Sequence, residues 1–292
     1  HPSDKAMYDV RVTAPGRWVG VSNGTLVSRR RVDGRTVTRW SNTHPMSSYL
    51  TTLAVGPYRV YHQTGPGGLP LSYWVPRSHP EFVKPLLKTA AAMRWLARRL
   101  GPYPFDTAGV VVTPRGSAME TQTMVTFGAG LFRNSSFDVR SVLVHELAHQ
   151  WYGDTVTPTD WRDVWMNEGM ATYVEARWQS EHSNAPMMSW RNHVGYWTVD
   201  DQWLRDQYGP PGAFHHDEFG SANVYYSPAL MWERLRRKVG TTTFDRLVRA
   251  WPQTHRDTSS SREEMIDWWE ARTDRDLSRF FTTWLTSEES PA

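Results

Sequence analysis

Val144-His145-Glu146-Leu147-Ala148-His149 places two histidines four residues apart around a glutamate, among apolar neighbours that suit a helix. At about 3.6 residues per turn, such positions share one helix face roughly 6 Å apart, so His145 and His149 can reach a single ion. Glu146 is turned about 100° from His145, which keeps it off the metal yet near enough to take a proton from a water beside it. A third group fits the same ion. Asn167-Glu168-Gly169 sets Glu168 19 residues after His149, at the start of another apparent helix, Met170 to Gln179. Two imidazoles and one carboxylate leave the fourth tetrahedral position open, as catalytic zinc requires and structural zinc does not. The pattern predicts one Zn2+ per chain held by His145, His149 and Glu168. A surface helix that happens to carry two histidines is the plainer alternative, and Glu168 weighs against it. Glu175 on the second helix, and Asp154 or Asp160 in the connection, are candidate partners for the ligand histidines.

Composition narrows the chemistry further. None of the 292 residues is cysteine, which removes disulfides, thiolate metal clusters and cysteine nucleophiles, so a metal site must use His, Asp or Glu. With 33 basic and 30 acidic residues the net charge is only +3, too even to favour nucleic acid as a partner. No apolar run approaches the roughly 18 residues of a membrane span, and none is expected. The 16 tryptophans read first as aromatic core packing. His215-His216-Asp217-Glu218 invites a second metal site, but it lies between Pro210-Pro211-Gly212 and Gly220 without helical spacing. It reads as a polar loop near the rim of the site.

The chain changes grammar along its length. From Met7 to about Val75, short alternating runs such as Tyr8–Val12, Trp18–Val21, Thr25–Val27, Thr36–Trp40, Tyr49–Val55 and Tyr58–Tyr61 are divided by Gly, Pro, Asn and Asp, which is strand-and-hairpin patterning. Helical spacing then runs from Glu81 to Leu100 and stops at Gly101-Pro102. Strands are expected at Gly109–Thr113 and Thr123–Phe127. Helices follow near 138–152, 162–182, 185–205, 222–239, 242–251, 261–272 and 275–285. An α+β chain is expected, with 1–75 forming a β part and 76–292 a mainly helical one.

His145-Glu146-Leu147-Ala148-His149-Gln150-Trp151, followed by Trp165-Met166-Asn167-Glu168-Gly169, resembles the zinc aminopeptidases of the aminopeptidase N family. Gly116-Ser117-Ala118-Met119-Glu120-Thr121 is similar to that family's G-x-M-E-N exopeptidase motif, with Thr121 in place of Asn. Val224-Tyr225-Tyr226-Ser227-Pro228 is similar to its V-Y-x-K-G segment, with Ser227-Pro228 in place of Lys-Gly. The resemblance implies that Glu120 binds a substrate's free α-amino group, beside Met119 and Ala118, and that Tyr225 donates a hydrogen bond to the tetrahedral intermediate. Tyr226 stays open as an alternative to Tyr225. The implied fold is a thermolysin-like, mainly helical zinc-peptidase domain, preceded by part of an antiparallel β-sandwich or saddle domain. By that comparison the chain reads as truncated at its N-terminus. A Gln or Glu that the family supplies from upstream at the α-amino site has no counterpart here.

The expected activity is zinc-dependent hydrolysis of the N-terminal bond of peptides with a free N-terminus. Glu146 serves as general base, and Tyr225 with the metal stabilises the developing oxyanion. A metalloendopeptidase with the same zinc chemistry, or a non-catalytic peptide-binding scaffold of the same fold, are the alternatives. Side-chain preference and oligomeric state are not legible. Export is slightly favoured over the cytoplasm, although His1-Pro2-Ser3-Asp4 shows no signal-peptide pattern.

Overall fold

The computed structural model describes residues 1–114, 117–133 and 138–292. Gly116, which opens the expected exopeptidase motif, lies outside the described residues. The N-terminal part is antiparallel. Strands β1 (Lys5–Ala14), β3 (Thr25–Val32) and β4 (Arg35–Ser47) form a sheet in the order β1-β4-β3, and β2 (Val19–Ser22) pairs with β5 (Leu53–Gly56). Tyr49 to Leu50, expected to begin a strand, instead belong to a 3-10 turn over Ser48–Leu50, and the extended run starts at Leu53.

Strands β6 (Tyr58–Thr64), β7 (Pro70–Pro76), β8 (Ala108–Thr113), β9 (Ala118–Met119) and β10 (Met124–Gly128) make a mixed sheet in the order β6-β7-β8-β10-β9. The almost fully buried run of β8 sits between β7 and β10, parallel to both, as an apolar strand covered on two faces should. This sheet straddles residue 76. By hydrogen bonding, β6 and β7 join the C-terminal part, and the change of sheet falls between Gly56 and Tyr58. A small core of Val19 and Val21 from β2, Trp40 from β4, and Trp74, Val111 and Met124 from the mixed sheet ties these three sheets together.

Helices cover the rest: α1 (Val83–Leu86), α2 (Thr89–Leu100), α3 (Val139–Ala148), α4 (Trp165–His182), α5 (Trp190–Tyr208), α6 (Asn223–Val239), α7 (Thr241–Thr254), α8 (Arg262–Glu270) and α9 (Ser278–Thr286), with β11 (Val156–Pro158) and β12 (Thr258–Ser260) pairing between them. The helix expected from Glu81 is broken into a 3-10 turn, α1 and α2, with Pro80 and Pro85 unable to donate to the ladder. Ser189 accepts from the Asn192 amide and starts α5 there rather than at 185. Twelve of the sixteen tryptophans are buried, as core packing requires. Among the described residues no helix is long and apolar enough to cross a membrane.

Candidate metal centre

Helix α3 is opened by Asp138, whose carboxylate accepts the Arg140 amide, and the first ligand sits in its last turn. Beyond His149 the chain turns sharply. The Asp154 amide returns to the His149 carbonyl at 2.9 Å, and Gly153 passes close beside the ligand in a left-handed conformation. A Cβ on Gly153 would lie 3.3 Å from His149 Nδ1 and 3.3 Å from the Asn167 side chain, so glycine lets this loop lie against the ligand.

Glu168 arrives in the first turn of α4 and completes a triangle. His145 Nε2 and His149 Nε2 are 3.2 Å apart, and each lies 3.3 Å from Glu168 Oε2. A tetrahedral zinc with ligand bonds of about 2.0–2.1 Å separates its ligand atoms by roughly 3.3–3.4 Å. The three donors therefore already stand at zinc spacing. His149 Nδ1 donates to the Tyr152 carbonyl at 3.1 Å, which leaves Nε2 as the metal-facing lone pair. Glu175 Oε2 lies 3.2 Å from His145 Nδ1, an ion-pair distance, although the angle falls short of a hydrogen bond. Of the three acids considered as partners for the ligands, only Glu175 reaches an imidazole. Asp160 is exposed and caps a turn through the Arg162 amide. Asp154 is fully buried, with neither carboxylate oxygen hydrogen-bonded.

A cleft of about 290 Å³ opens over the triangle, lined by Glu146, Glu120, Met119, Ala118 and Tyr225 together with the ligands. Glu120, Glu146 and His149 themselves approach within 4.8 Å through their donor atoms. Ala118 and Met119 form edge strand β9, paired with Phe127 and Thr126 of β10, which delivers Glu120 to the cleft. Gln150 clamps the turn that follows: its amide donates to the Glu120 carbonyl at 3.0 Å and its oxygen accepts the Thr123 amide at 2.8 Å. Thr121, standing where Asn was expected, turns its hydroxyl to the Met124 carbonyl and to Thr126 within that turn. Tyr225, in the first turn of α6, lies nearly parallel to His145 with ring centroids 6.1 Å apart. Tyr226 lines a different cavity with Glu175, so the geometry favours Tyr225.

Burial sets the electrostatics. It pushes Glu146 up to about 8, with the Glu120 and Glu168 charges adding to it and both histidines opposing. Glu120 is likewise raised by burial, against the pull of His149. Burial works against ionising Glu168 too, but His149 and His145 overcome it and hold the carboxyl near about 2. Burial works against charging His149, but the Glu168 and Glu120 carboxylates overcome both that and the opposing His145 charge and raise it to about 9. Tyr225 is pushed far above its ordinary value by burial and then by the surrounding carboxylates, so its phenol keeps its proton.

The family described as "Peptidase family M1 domain" matches residues 86–284, and "Peptidase M1 N-terminal domain" matches residues 1–50. The chain belongs to peptidase family M1. Its M1 relatives include aminopeptidase N of Streptomyces lividans, 27% identical over 97% of this chain and 35% of that protein, and human glutamyl aminopeptidase, 28% identical over 60% of this chain and 20% of that one. The chain thus spans about a third or less of the length of these curated relatives. An M1 zinc metallopeptidase of Deinococcus radiodurans superposes with a TM-score of 0.86 at 27% identity, covering 100% of this chain and 66% of that one. A mutant of the Deinococcus protein has been solved with a Tyr-Ser-Ala substrate.

Several residues around the cleft carried no sequence signal. Tyr49, Trp161 and Phe219 form an aromatic row along the cleft, with centroids 4.7 Å and 5.2 Å apart. They come from three separate loops, and only the excess of tryptophan hinted at them. Asn23 anchors the Glu120 loop from the β part, donating to the Gln122 carbonyl at 2.6 Å. His216 and Asp217 are exposed, and the 215–218 cluster is absent from the metal-competent groups among the described residues. That loop borders the cleft through Phe219 and Gly220, as a rim should.

Proposed function

We propose that the chain acts as a zinc-dependent aminopeptidase, hydrolysing the first bond of peptides with a free N-terminus. The observation that carries this reading is the single cleft in which the His145, His149 and Glu168 triangle faces Glu146, Glu120 and Tyr225. Zinc held there supplies Lewis-acid chemistry, bringing water towards ionisation near neutral pH and polarising the scissile carbonyl. Glu146 accepts the water's proton and passes it to the departing amine, a task suited to a carboxylate whose proton affinity is raised by burial. Tyr225 holds its proton and donates a hydrogen bond to the carbonyl oxygen as negative charge develops on it. Glu120, 7% exposed, pairs with the α-ammonium, which fixes the cut one residue in and disfavours internal segments of a chain. The aromatic row of Tyr49, Trp161 and Phe219 suits apolar side chains on the substrate.

The names of the relatives and the peptide bound to the Deinococcus mutant support the same reading. Replacement Glu146→Gln tests it. Zinc should stay bound at one per chain while hydrolysis of an aminoacyl-anilide falls about 10²–10⁴-fold, the range for a lost general base. A variant that releases amino acids at the wild-type rate removes Glu146 from this role.

A further inference from the structure

A second cavity, of about 480 Å³, shares no lining residue with the metal cleft. It forms where α2, α4, α6 and α7 meet, and six of its lining residues are arginines: Arg98, Arg99, Arg177, Arg236, Arg246 and Arg249. Asp245 is the one acid among the described lining residues. Acids and bases are nearly matched over the whole chain, 30 against 33, so this imbalance is local.

All six side chains line the one cavity, with Arg246 also donating to the Arg272 carbonyl at 3.4 Å. Arg99 is pushed down by burial, and Arg177 and Arg98 both act on it in the same direction. Arg177, Arg236 and Asp245 together act on the buried Tyr173 phenol. Carboxylates outside the cavity compensate only in part. Glu181 lies 2.7 Å from Arg99 and is shared with Arg177 at 3.9 Å. Glu233 lies 2.8 Å from Arg236 but is shared with Arg237 at 2.7 Å. Arg249 spends one nitrogen on the Ala97 and Arg98 carbonyls, at 2.7 Å and 2.8 Å, closing the end of α2. Neither it nor Arg98 nor Arg246 has a carboxylate partner among the described residues.

We propose that this cavity binds a phosphate-bearing small molecule, a phosphate ester or diphosphate. One carboxylate satisfies one guanidinium fork, whereas each phosphate group carries a charge of about −1.5 to −2 near pH 7 with three acceptor oxygens. Several phosphate oxygens can therefore serve forks arriving from four helices. The volume falls within the range of roughly 300–1,000 Å³ typical of small-molecule sites. Buried Leu100, Val174 and Phe244 add apolar surface for the body of such a ligand.

Calorimetric titration of the zinc-loaded chain with pyrophosphate tests the assignment, run beside citrate and beside vesicles containing phosphatidylglycerol. One saturable pyrophosphate per chain is expected, with citrate at least tenfold weaker. Arg98 and Arg246 are both exposed, so the variant R98A/R246A should melt as wild type does while binding pyrophosphate at least tenfold more weakly. Asp245→Asn, which removes the acid from the wall, should tighten binding several-fold. Affinity that survives in R98A/R246A would place pyrophosphate on the zinc and overturn the proposal. It is equally overturned by citrate binding as well as pyrophosphate, by binding to vesicles alone, or by the lack of saturation at millimolar concentration.

Discussion

Gly169, next to the candidate ligand Glu168, sets how closely α4 approaches α6. A Cβ built on it would stand 2.5 Å from Pro228 Cβ and 2.7 Å from Pro228 Cγ. Carbon atoms prefer separations of about 3.5–4.0 Å, so Gly169→Ala must move the two helices apart by roughly 1 Å. Overpacking of this kind costs about 1–3 kcal/mol, against which alanine regains about 0.5–1 kcal/mol of helix preference. The two ranges leave a net loss of about 0–2.5 kcal/mol, centred near 1 kcal/mol, which lowers the melting temperature by a few degrees at this chain length. The catalytic effect should be larger than the loss of stability. Glu168 is bonded directly to Gly169, and Tyr225 precedes Pro228 by three residues in the same helix, so the shift falls between metal ligand and hydrogen-bond donor. A misplacement of about 1 Å costs on the order of 10²-fold in rate. Hydrolysis of an aminoacyl-anilide, measured with zinc content and melting temperature, checks both parts. Pro228→Gly removes both clashing carbons, so the double variant G169A/P228G should recover most of the rate. If G169A retains wild-type turnover, or if G169A/P228G stays as impaired as G169A, the helix approach does not set the site.

Two further outcomes follow. Glu175→Gln should weaken zinc about 10–100-fold in competition with a chelator, because it removes the charge beside His145 Nδ1, and unchanged affinity would leave Glu175 without a role at the metal. For the metal-free chain, His149 raised to about 9 contributes stability that is fully present below its ordinary value of 6.5 and is lost as pH rises through about 9. Glu146, raised to about 8 chiefly by burial, acts in the same direction over the lower part of that window. Glu168, held at about 2, contributes stability present above 4.5 and lost as pH falls through about 2. The metal-free melting temperature should therefore fall between about pH 6.5 and 9, and zinc, which takes the deprotonated imidazoles, should reverse that fall. A metal-free curve that rises over the same window contradicts these assignments.

What the sequence revealed and what it concealed divide along physical lines. The donor triangle was legible because a metal would impose a spacing: His145 and His149 must share a helix face, and Glu168 must follow within reach. The β part was legible through its period-two patterning and its turn residues. Local chemistry that overrides patterning was harder to read. Thr123 looked like the first residue of a strand, yet it sits at φ +64° with its amide held by Gln150, and β10 begins one residue later. Nor does patterning reveal that β7 lies parallel to β8 across the expected division at residue 76, since that pairing depends on a long-range register. The aromatic row of Tyr49, Trp161 and Phe219 was out of reach for a related reason. Loop residues meet in the folded chain with no period to announce them. Gly169 explains itself only beside Pro228, because a close approach needs both partners in view.

A zinc centre coupled to recognition of a free N-terminus should show itself in substrate choice. Paired aminoacyl substrates, one with a free amine and one acetylated, tested on the chain with its zinc counted and then with the zinc removed, address it most directly. One zinc per chain is expected, with cleavage of the free-amine substrate that disappears with the metal and returns on its addition, and little cleavage of the acetylated partner. Equal cleavage of the acetylated substrate would remove Glu120 from its role, and turnover that survives loss of the zinc would contradict the account at its core.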